Sequence, residues 1–151
     1  MRKKMNIKYF SMILMIFFII SCSKSPSELF TLIDEDLKKD NVDQAINNLI
    51  LLISKYPNDS LASKAQYKLA SVYFNWKDNI VLGYEALENT IDNYAETIHA
   101  KQAKKEIELF PQFLINKAES LRKRKKLKES VDHLMYLIEN YSSNKIASKG
   151  Q

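Results

Sequence analysis

The chain has 151 residues, of which 23 are Lys or Arg and 18 are Asp or Glu, giving a formal net charge of +5 at pH 7. Two glycines and three prolines are too few for the many tight turns of a β-sandwich or barrel, so the composition predicts an all-α fold. The single cysteine excludes an intramolecular disulfide and a cysteine-rich zinc site, and the glycine count excludes a glycine-rich phosphate loop.

The first 21 residues have the pattern of a signal peptide. Residues 1–8 carry four basic side chains and no acidic one, and residues 9–20 form an apolar run. A helix of that run would span about 18 Å, well short of a bilayer core of about 30 Å, which favours a signal peptide over a membrane span. Once residues 1–21 are removed, 19 basic side chains face 18 acidic ones. The charge of the remaining chain therefore gives no argument for nucleic acid as a partner.

Residues 19–22 read Ile-Ile-Ser-Cys, which resembles the lipobox of bacterial lipoproteins, where aliphatic and small residues precede a cysteine. The resemblance implies cleavage before Cys22 and attachment of lipid to its thiol, which leaves residues 22–27 as the lipidated cysteine and a tether. Several acyl chains would anchor the protein permanently. Because Ser23 rather than an aspartate follows the cysteine, the resemblance implies the outer membrane, with the protein facing the periplasm. The alternative is an uncleaved N-terminal anchor with an incidental cysteine.

The rest of the chain contains an internal repeat. Residues 26–66 align without gaps with residues 111–151, so that a proline, a tyrosine and an Ala-Ser-Lys triplet recur. The matched residues are Pro26 with Pro111, Tyr56 with Tyr141, and Ala62-Ser63-Lys64 with Ala147-Ser148-Lys149. A half-step between the two copies surrounds Tyr94. Small residues, which let helices approach closely, precede the three tyrosines by eleven positions; they are Ala45, Gly83 and Ser130.

The apolar periodicity predicts seven helices. They are expected at about 27–39, 42–56, 60–76, 80–94, 97–109, 111–125 and 128–141. Pro111 either begins a new helix or kinks one long helix running from about 97 to 125. Because its counterpart Pro26 precedes a helix, we expect a start or a sharp kink at Pro111.

The second copy stops where the first copy is in the middle of a helix. Gln151 matches Gln66, and residues 67–76 of the first copy have no counterpart. We therefore expect the apolar side of the last predicted helix to lack a cover on one side. The residues of that side are Val131, Leu134, Leu137 and Ile138.

The turn sequence Tyr-Pro-Asn-Asp at residues 56–59, followed by Ala62, Ala65, and later Tyr73, resembles the tetratricopeptide repeat. The resemblance covers about residues 27–151. It implies about three helical hairpins forming a short right-handed solenoid, with the repeat domain at residues 28–151. The longer turn is similar to that of bacterial envelope lipoproteins, namely the BamD-type component of the β-barrel assembly machine and the periplasmic coordinator of the Tol–Pal system.

The resemblance implies a function as well as a fold. We expect a lipid-anchored, non-enzymatic protein–protein interaction scaffold in the periplasm, with outer-membrane protein assembly as the leading pathway. A Tol–Pal or peptidoglycan-linked scaffold and a small-ligand binding lipoprotein remain alternatives. The expected partners are envelope proteins or peptides in a concave groove, and the membrane through the N-terminal lipid. No nucleic acid, cofactor or metal is expected.

In tetratricopeptide geometry the first helix of each unit lines the groove. The resemblance therefore implies a set of partner-binding residues on the third predicted helix and in the third unit. They are Lys64, Tyr67, Ser71, Phe74, Asn75, Glu119 and Arg122. A peptide or helix of a partner would dock there, with aromatic side chains supplying contact area and charges supplying specificity.

Two further features were weighed as functional. His99 and His133 are far apart and have no cysteine or acid at metal-ligand spacing, so we expect exposed helix histidines rather than catalytic or metal-binding ones. The basic run 122–126, with Lys128, would suit anionic headgroups or an acidic protein. It is also what the carbonyl end of a helix favours, and we favour this second interpretation.

Overall fold

The computed structural model describes residues 24–141, which form six helices. In chain order they are α1 (Pro26–Lys38), α2 (Val42–Lys55), α3 (Ser60–Asn75), α4 (Ile80–Asn93), α5 (Ile98–Lys123) and α6 (Leu127–Tyr141). No strand occurs in this part of the chain, so the all-α prediction is confirmed for it. None of the described helices combines the length and the apolar character that crossing a bilayer requires. The predicted signal peptide, Cys22 and residues 142–151 lie outside the described residues.

Side-chain caps explain where several helices begin. Ser25 and Glu28 form a capping box at α1, in which Ser25 N–H donates to Glu28 Oε2 at 2.7 Å and Glu28 N–H donates to Ser25 Oγ at 3.3 Å. The first turns of α3, α4 and α5 each donate a backbone N–H to a cap side chain. Those cap residues are Asp59, Asn79 and Thr97.

The helices predicted at 97–109 and 111–125 are a single helix, α5, with Pro111 inside it. The expected helix start at Pro111 is therefore wrong. Proline has no N–H, so the carbonyl of Ile107 loses its intrahelical partner there. Phe110, Pro111 and Leu114 are all buried, and this shared burial holds both halves of α5 against one core.

Three helical hairpins follow one another along the chain: α1 with α2, α3 with α4, and α5 with α6. Each hairpin turn contains one residue in the left-handed region, and these residues are Asp40, Asp78 and Lys125, with φ of 59°, 52° and 60°. The turns between hairpins also match each other, because the N–H of Tyr56 bonds the carbonyl of Leu52 just as that of Tyr94 bonds the carbonyl of Thr90. The sequence repeat is thus also a repeat of backbone conformation.

Helices α1, α3 and α5 lie side by side and run in the same direction. Lys68 Nζ of α3 lies 2.7 Å from Asp34 Oδ1 of α1, 34 residues earlier in the chain. Further along the layer, Ser63 contacts His99 near the start of α5, while Phe74 contacts Phe113 fourteen residues later. Contacts that advance together along both helices define a parallel pair. Helices α2 and α4 each pack on the two odd-numbered helices that flank them in sequence.

Small side chains occupy the predicted close approaches of the hairpins. Ala45, Gly83 and Ser130 are all buried. The closest approach is at Gly83, where an added Cβ would lie 2.3 Å from Cε1 of Phe74. Phe74 in turn belongs to a group of rings around Phe110, with centroids 4.9–6.4 Å from it. The other rings of this group are Tyr84, Phe113, Tyr136 and Tyr141.

The apolar side of α6 is only partly as expected. Val131 is 51% exposed, whereas Leu134 and Ile138 are half-buried. Leu137 is fully buried among the core residues, so the expectation that it lacks a cover is wrong. Leu137 lies seven residues after Ser130, which donates to the Ala118 carbonyl at 2.8 Å, so both face α5.

Candidate functional site

Three of the predicted site residues lie on one side of α3. Lys64 is exposed, and its Nζ lies 4.5 Å from the ring centroid of Phe30 on α1. Ser71 and Asn75 follow at helical spacing, and Asn75 Nδ2 donates to the Ser71 carbonyl at 2.9 Å. The structure therefore brings Lys64, Ser71 and Asn75 to one side of the α1–α3–α5 layer.

Tyr67 and Phe74 face α5 and form a crevice with it. The Tyr67 hydroxyl donates to the Glu106 carboxylate, and the Phe74 ring lies 5.3 Å from the Phe113 ring between centroids. A cavity of about 300 Å³ opens between the two helices, with side chains from three helices as its lining. The lining residues are Phe74, Leu87, Glu106, Leu109, Phe110 and Phe113. Leu109 is 56% exposed at this cavity, so an apolar surface is accessible to a partner.

Phe74 contributes differently from the expected groove residue. It is 7% exposed, and its ring is held between Gly83 behind it and the rings of Phe110 and Phe113. A side chain enclosed in this way forms a wall of the crevice, and it cannot project from α3 as a free anchor.

Glu119 and Arg122 are not brought to the crevice. Both are exposed on α5. At about 100° per residue, they lie about 140° and about 160° around the helix from Glu106. The sequence-based carry-over had no means of detecting this, because it assumed that a new helix starts at Pro111, whereas the register of α5 continues from Ile98.

The charges at the crevice are few and their protonation states are well defined. Burial, together with the hydrogen bond to Glu106 and its negative charge, raises the pKa of Tyr67 far above its usual range. Tyr67 is therefore a neutral donor and Glu106 its acceptor at neutral pH. Burial, together with the positive charge of Lys64, lowers the pKa of His99, so this side chain is neutral as well. The crevice thus combines apolar walls with one carboxylate at its rim.

The histidines are not the exposed side chains that we expected. His99 is half-buried, and its Nδ1 lies 3.1 Å from Ser63 Oγ, so the pair joins α5 to α3. His133 is 4% exposed because it lies on the side of α6 that packs on the rest of the fold, and its Nδ1 lies 2.7 Å from the Glu129 carbonyl. Ser63 is itself buried and donates to the Ser60 carbonyl at 3.3 Å, which makes it part of the packing. Within residues 24–141, no group of three or more metal-ligating side chains could hold an ion.

A larger hollow of about 660 Å³ lies where the turns after α2 and α4 meet. Its lining comes from residues 57–63 and 92–99 and is mostly polar, with three acids, Asp59, Asp92 and Glu96. Asp59 already accepts the Leu61 N–H at 2.8 Å as the cap of α3. The hollow offers no apolar walls comparable to those of the crevice.

The sequence analysis missed Glu106, Leu109 and Phe113. A signal for them existed in α5, where Ile107, Leu109 and Phe110 are more apolar residues than one buried side needs. Which neighbour the extra apolar side faces depends on the packing of α5 beside α3, which the local pattern does not reveal.

A comparison of the chain with models of protein families found no match, and a comparison with curated protein sequences found none that is significantly similar.

Proposed function

We propose that the protein is a lipid-anchored scaffold of the bacterial envelope that binds a partner polypeptide on its α1–α3–α5 side. We assign its three hairpins to the tetratricopeptide class and their arrangement to a short right-handed solenoid. The 34-residue spacing of the Asp34–Lys68 contact supports this assignment, because the tetratricopeptide unit has the same length. So does the parallel alignment of α1, α3 and α5, since the first helix of each such unit lies beside the next.

The crevice between α3 and α5 is the observation that carries the proposal. A cavity of about 300 Å³ has room for one large side chain. Its walls are rigid aromatic rings packed on the core, so they are preorganised for an apolar anchor. Glu106 at the rim can accept a hydrogen bond from the partner in addition to the one from Tyr67. We infer that the partner inserts an aromatic or large aliphatic side chain here.

Crosslinking from Leu109 tests this proposal. A photoreactive amino acid at Leu109, in cells that express the full chain, should capture an envelope protein. The same amino acid at Ile50 is a matched control, because Ile50 is 47% exposed on α2, a helix that contributes no residue to the crevice. Leu109→Asp should then abolish co-purification of the captured protein, whereas Ile50→Asp should leave it unchanged. Equal capture from both positions would contradict the proposed site.

The lipid anchor is proposed from residues 19–22. The start of the fold supports it, because α1 begins at Pro26 and the Tyr56 hydroxyl donates to the Lys24 carbonyl at 2.7 Å, so a cysteine at position 22 would hold the domain close to a membrane. Metabolic labelling with an alkyne fatty acid should modify the wild-type chain and leave Cys22→Ala unlabelled. Label on the Cys22→Ala chain would exclude lipidation at this residue.

The pathway that we propose is the assembly of outer-membrane proteins, with the Tol–Pal system as the alternative. The support is the resemblance of the Tyr-Pro-Asn-Asp turn at residues 56–59, a turn that the structure repeats in backbone form at Tyr94. Depletion of the protein separates the two pathways. A loss of folded outer-membrane β-barrels supports the first, and normal barrel levels with a defect in cell constriction support the second.

A further inference from the structure

The turn between α5 and α6 carries a charge that the same turn in the first hairpin does not. We call residues 122–128 the basic turn. It holds two arginines, four lysines and no acid, whereas the matching residues 37–43 hold two lysines and two aspartates. All seven residues of the basic turn are exposed.

The two turns have the same backbone. Asn41 N–H donates to the Asp36 carbonyl at 2.8 Å, and its counterpart Lys126 donates to the carbonyl of Leu121 at 3.0 Å. Asp40 and its counterpart Lys125 both lie in the left-handed region, with φ of 59° and 60°. The fold therefore makes the same local demands at both places, and only the side chains differ.

Three lysines of the basic turn go against the local preferences of that backbone. Aspartate and asparagine tolerate the left-handed region better than lysine, and Lys125 occupies it. Asparagine is also a preferred N-cap, and Lys126 occupies that place before α6, whereas α2 and α4 have Asn41 and Asn79. Lys128 lies in the first turn of α6, where the helix dipole disfavours a cation.

The helix-end interpretation favoured from the sequence accounts for only part of the charge. It explains Arg122 and Lys123, which lie in the last turn of α5. It does not explain lysines at a left-handed position, at an N-cap and in a first helical turn. Residues that break local rules without a structural gain are characteristic of binding surfaces.

The chain does not neutralise the basic turn itself. Among the described residues, its one ion pair joins Lys126 Nζ to Glu129 Oε1 at 4.0 Å. All 18 acidic side chains of the sequence lie between residues 28 and 139, within the part that the structure describes. No acidic side chain elsewhere in the chain is left to pair with the other five cations.

The position of the turn favours a narrow partner. Lys117 Nζ donates to the Phe74 carbonyl near the end of α3, so the basic turn projects about 10 Å beyond the α3–α4 turn. The turn of the first hairpin, two helices away in the same layer, carries no net positive charge. A flat anionic bilayer would face both turns, whereas a polypeptide segment can contact the basic turn alone.

Apolar side chains continue the surface along α6. Leu127, Val131 and Met135 follow at four-residue spacing and are 62%, 51% and 51% exposed. An exposed apolar stripe that begins at a cationic turn fits a segment with acidic residues beside apolar ones. We propose that the basic turn and this stripe dock an acidic segment of a partner polypeptide, at a surface separate from the crevice.

The test exchanges the lysines for the residues of the first hairpin. Lys125→Asp, Lys126→Asn and Lys128→Asp are combined in the full-length chain, purified in detergent, and its binding of fluorescein-labelled poly-L-glutamate is measured by anisotropy. Because direct charge contacts are lost, we expect affinity to fall about tenfold or more at low salt. The same variant should melt at a higher temperature, since it restores favoured residues at the left-handed and N-cap positions.

A second triple variant controls for net charge. Lys101→Asn, Lys104→Asp and Lys105→Asp change the charge by the same amount at exposed positions of α5, and we expect affinity to change less than about twofold. Equal losses in both variants would overturn the proposal, as would a lower melting temperature of the first. So would tight binding to phosphatidylglycerol vesicles without binding to poly-L-glutamate. Leu109→Asp should leave poly-L-glutamate binding unchanged, so failure of the crevice and failure of the basic turn give different results.

Discussion

The first and third hairpins show how far one sequence pattern can be reused. Each contains a proline followed by the same apolar spacing, yet Pro26 begins α1 while Pro111 lies inside α5. The difference is in the preceding residue. Ser25 has a side chain that caps a helix, whereas Phe110 is 1% exposed and packs in the core. Whether a proline starts a helix or lies within one therefore depends here on the burial of its neighbour.

The largest effect that would test this contrast is expected at Phe110. Phe110→Ala removes the ring around which five other aromatic rings pack, and we expect the free energy of unfolding to fall by about 3–5 kcal/mol. Ser25→Ala removes only a cap at the matching position and should cost about 1 kcal/mol. Urea unfolding followed by circular dichroism measures both. Similar costs at the two positions would mean that burial does not distinguish them.

A smaller effect is expected at the close approach within the second hairpin. Gly83→Ala would place a methyl group 2.3 Å from the Phe74 ring, which is enclosed and cannot move freely. We expect destabilisation of about 1–3 kcal/mol by overpacking. The first hairpin has Ala45 at the same place and needs no such space.

The double variant Gly83→Ala with Phe74→Leu provides the control for this prediction. If the clash is with the Phe74 ring, the shorter side chain should recover part of the stability that Gly83→Ala loses. Thermal melts of the two single variants and the double variant give the coupling. Strictly additive effects would show that the alanine is tolerated by movement elsewhere.

The two contacts between hairpins should differ in strength as well. Lys117 Nζ lies 2.7 Å from Asp78 Oδ1 and its side chain is 20% exposed, whereas Lys68 in the Asp34 pair is 29% exposed beside a 45% exposed partner. We expect Asp78→Asn to cost about 1–2 kcal/mol and Asp34→Asn about 0.5 kcal/mol. Asparagine keeps the left-handed conformation of Asp78, so the change isolates the charge. Unfolding at low and high salt measures the difference, and an equal cost for the two pairs would contradict it.

The smallest expected effect is a pH dependence at the α3–α5 contact. The folded pKa of His99 is lowered by burial and by Lys64, so the unfolded chain binds its proton more readily. Stability should therefore be fully present above about pH 6.5 and decrease as the pH falls through the lowered value. His99→Gln should flatten this part of the profile in thermal melts between pH 5 and 8. An unchanged profile in the variant would assign the dependence to another group.

Much of the fold could be predicted from the sequence because local patterns determine it. The repeat predicted turns of matching backbone, and Asp40 and Lys125 adopt the same conformation 85 residues apart. Gly83, expected as a close approach, has the Phe74 ring against it. These features depend on residue size and on short-range hydrogen bonds, which a sequence displays directly.

The crevice could be predicted only in part because it depends on contacts between distant residues. Tyr67 was expected at the site and is there, but its partner Glu106 lies 39 residues later and was missed. Glu119 and Arg122 were misplaced since one continuous helix replaced two, which changed which side of α5 faces α3. An error of one helix boundary thus rotated a whole set of predicted residues away from the site.

The continuity of α5 also determines how the protein can lose its structure. Its 26 residues span about 39 Å, with the first half packed against α3 and α4 and the second half against α6. In arrays whose units are separate, a terminal unit can fray while the rest stays folded. Here the terminal hairpin shares a helix and the Phe110 rings with its neighbour. The second and third hairpins therefore unfold as one cooperative block, and α6 gains protection from hydrogen exchange that a lone end hairpin would not have.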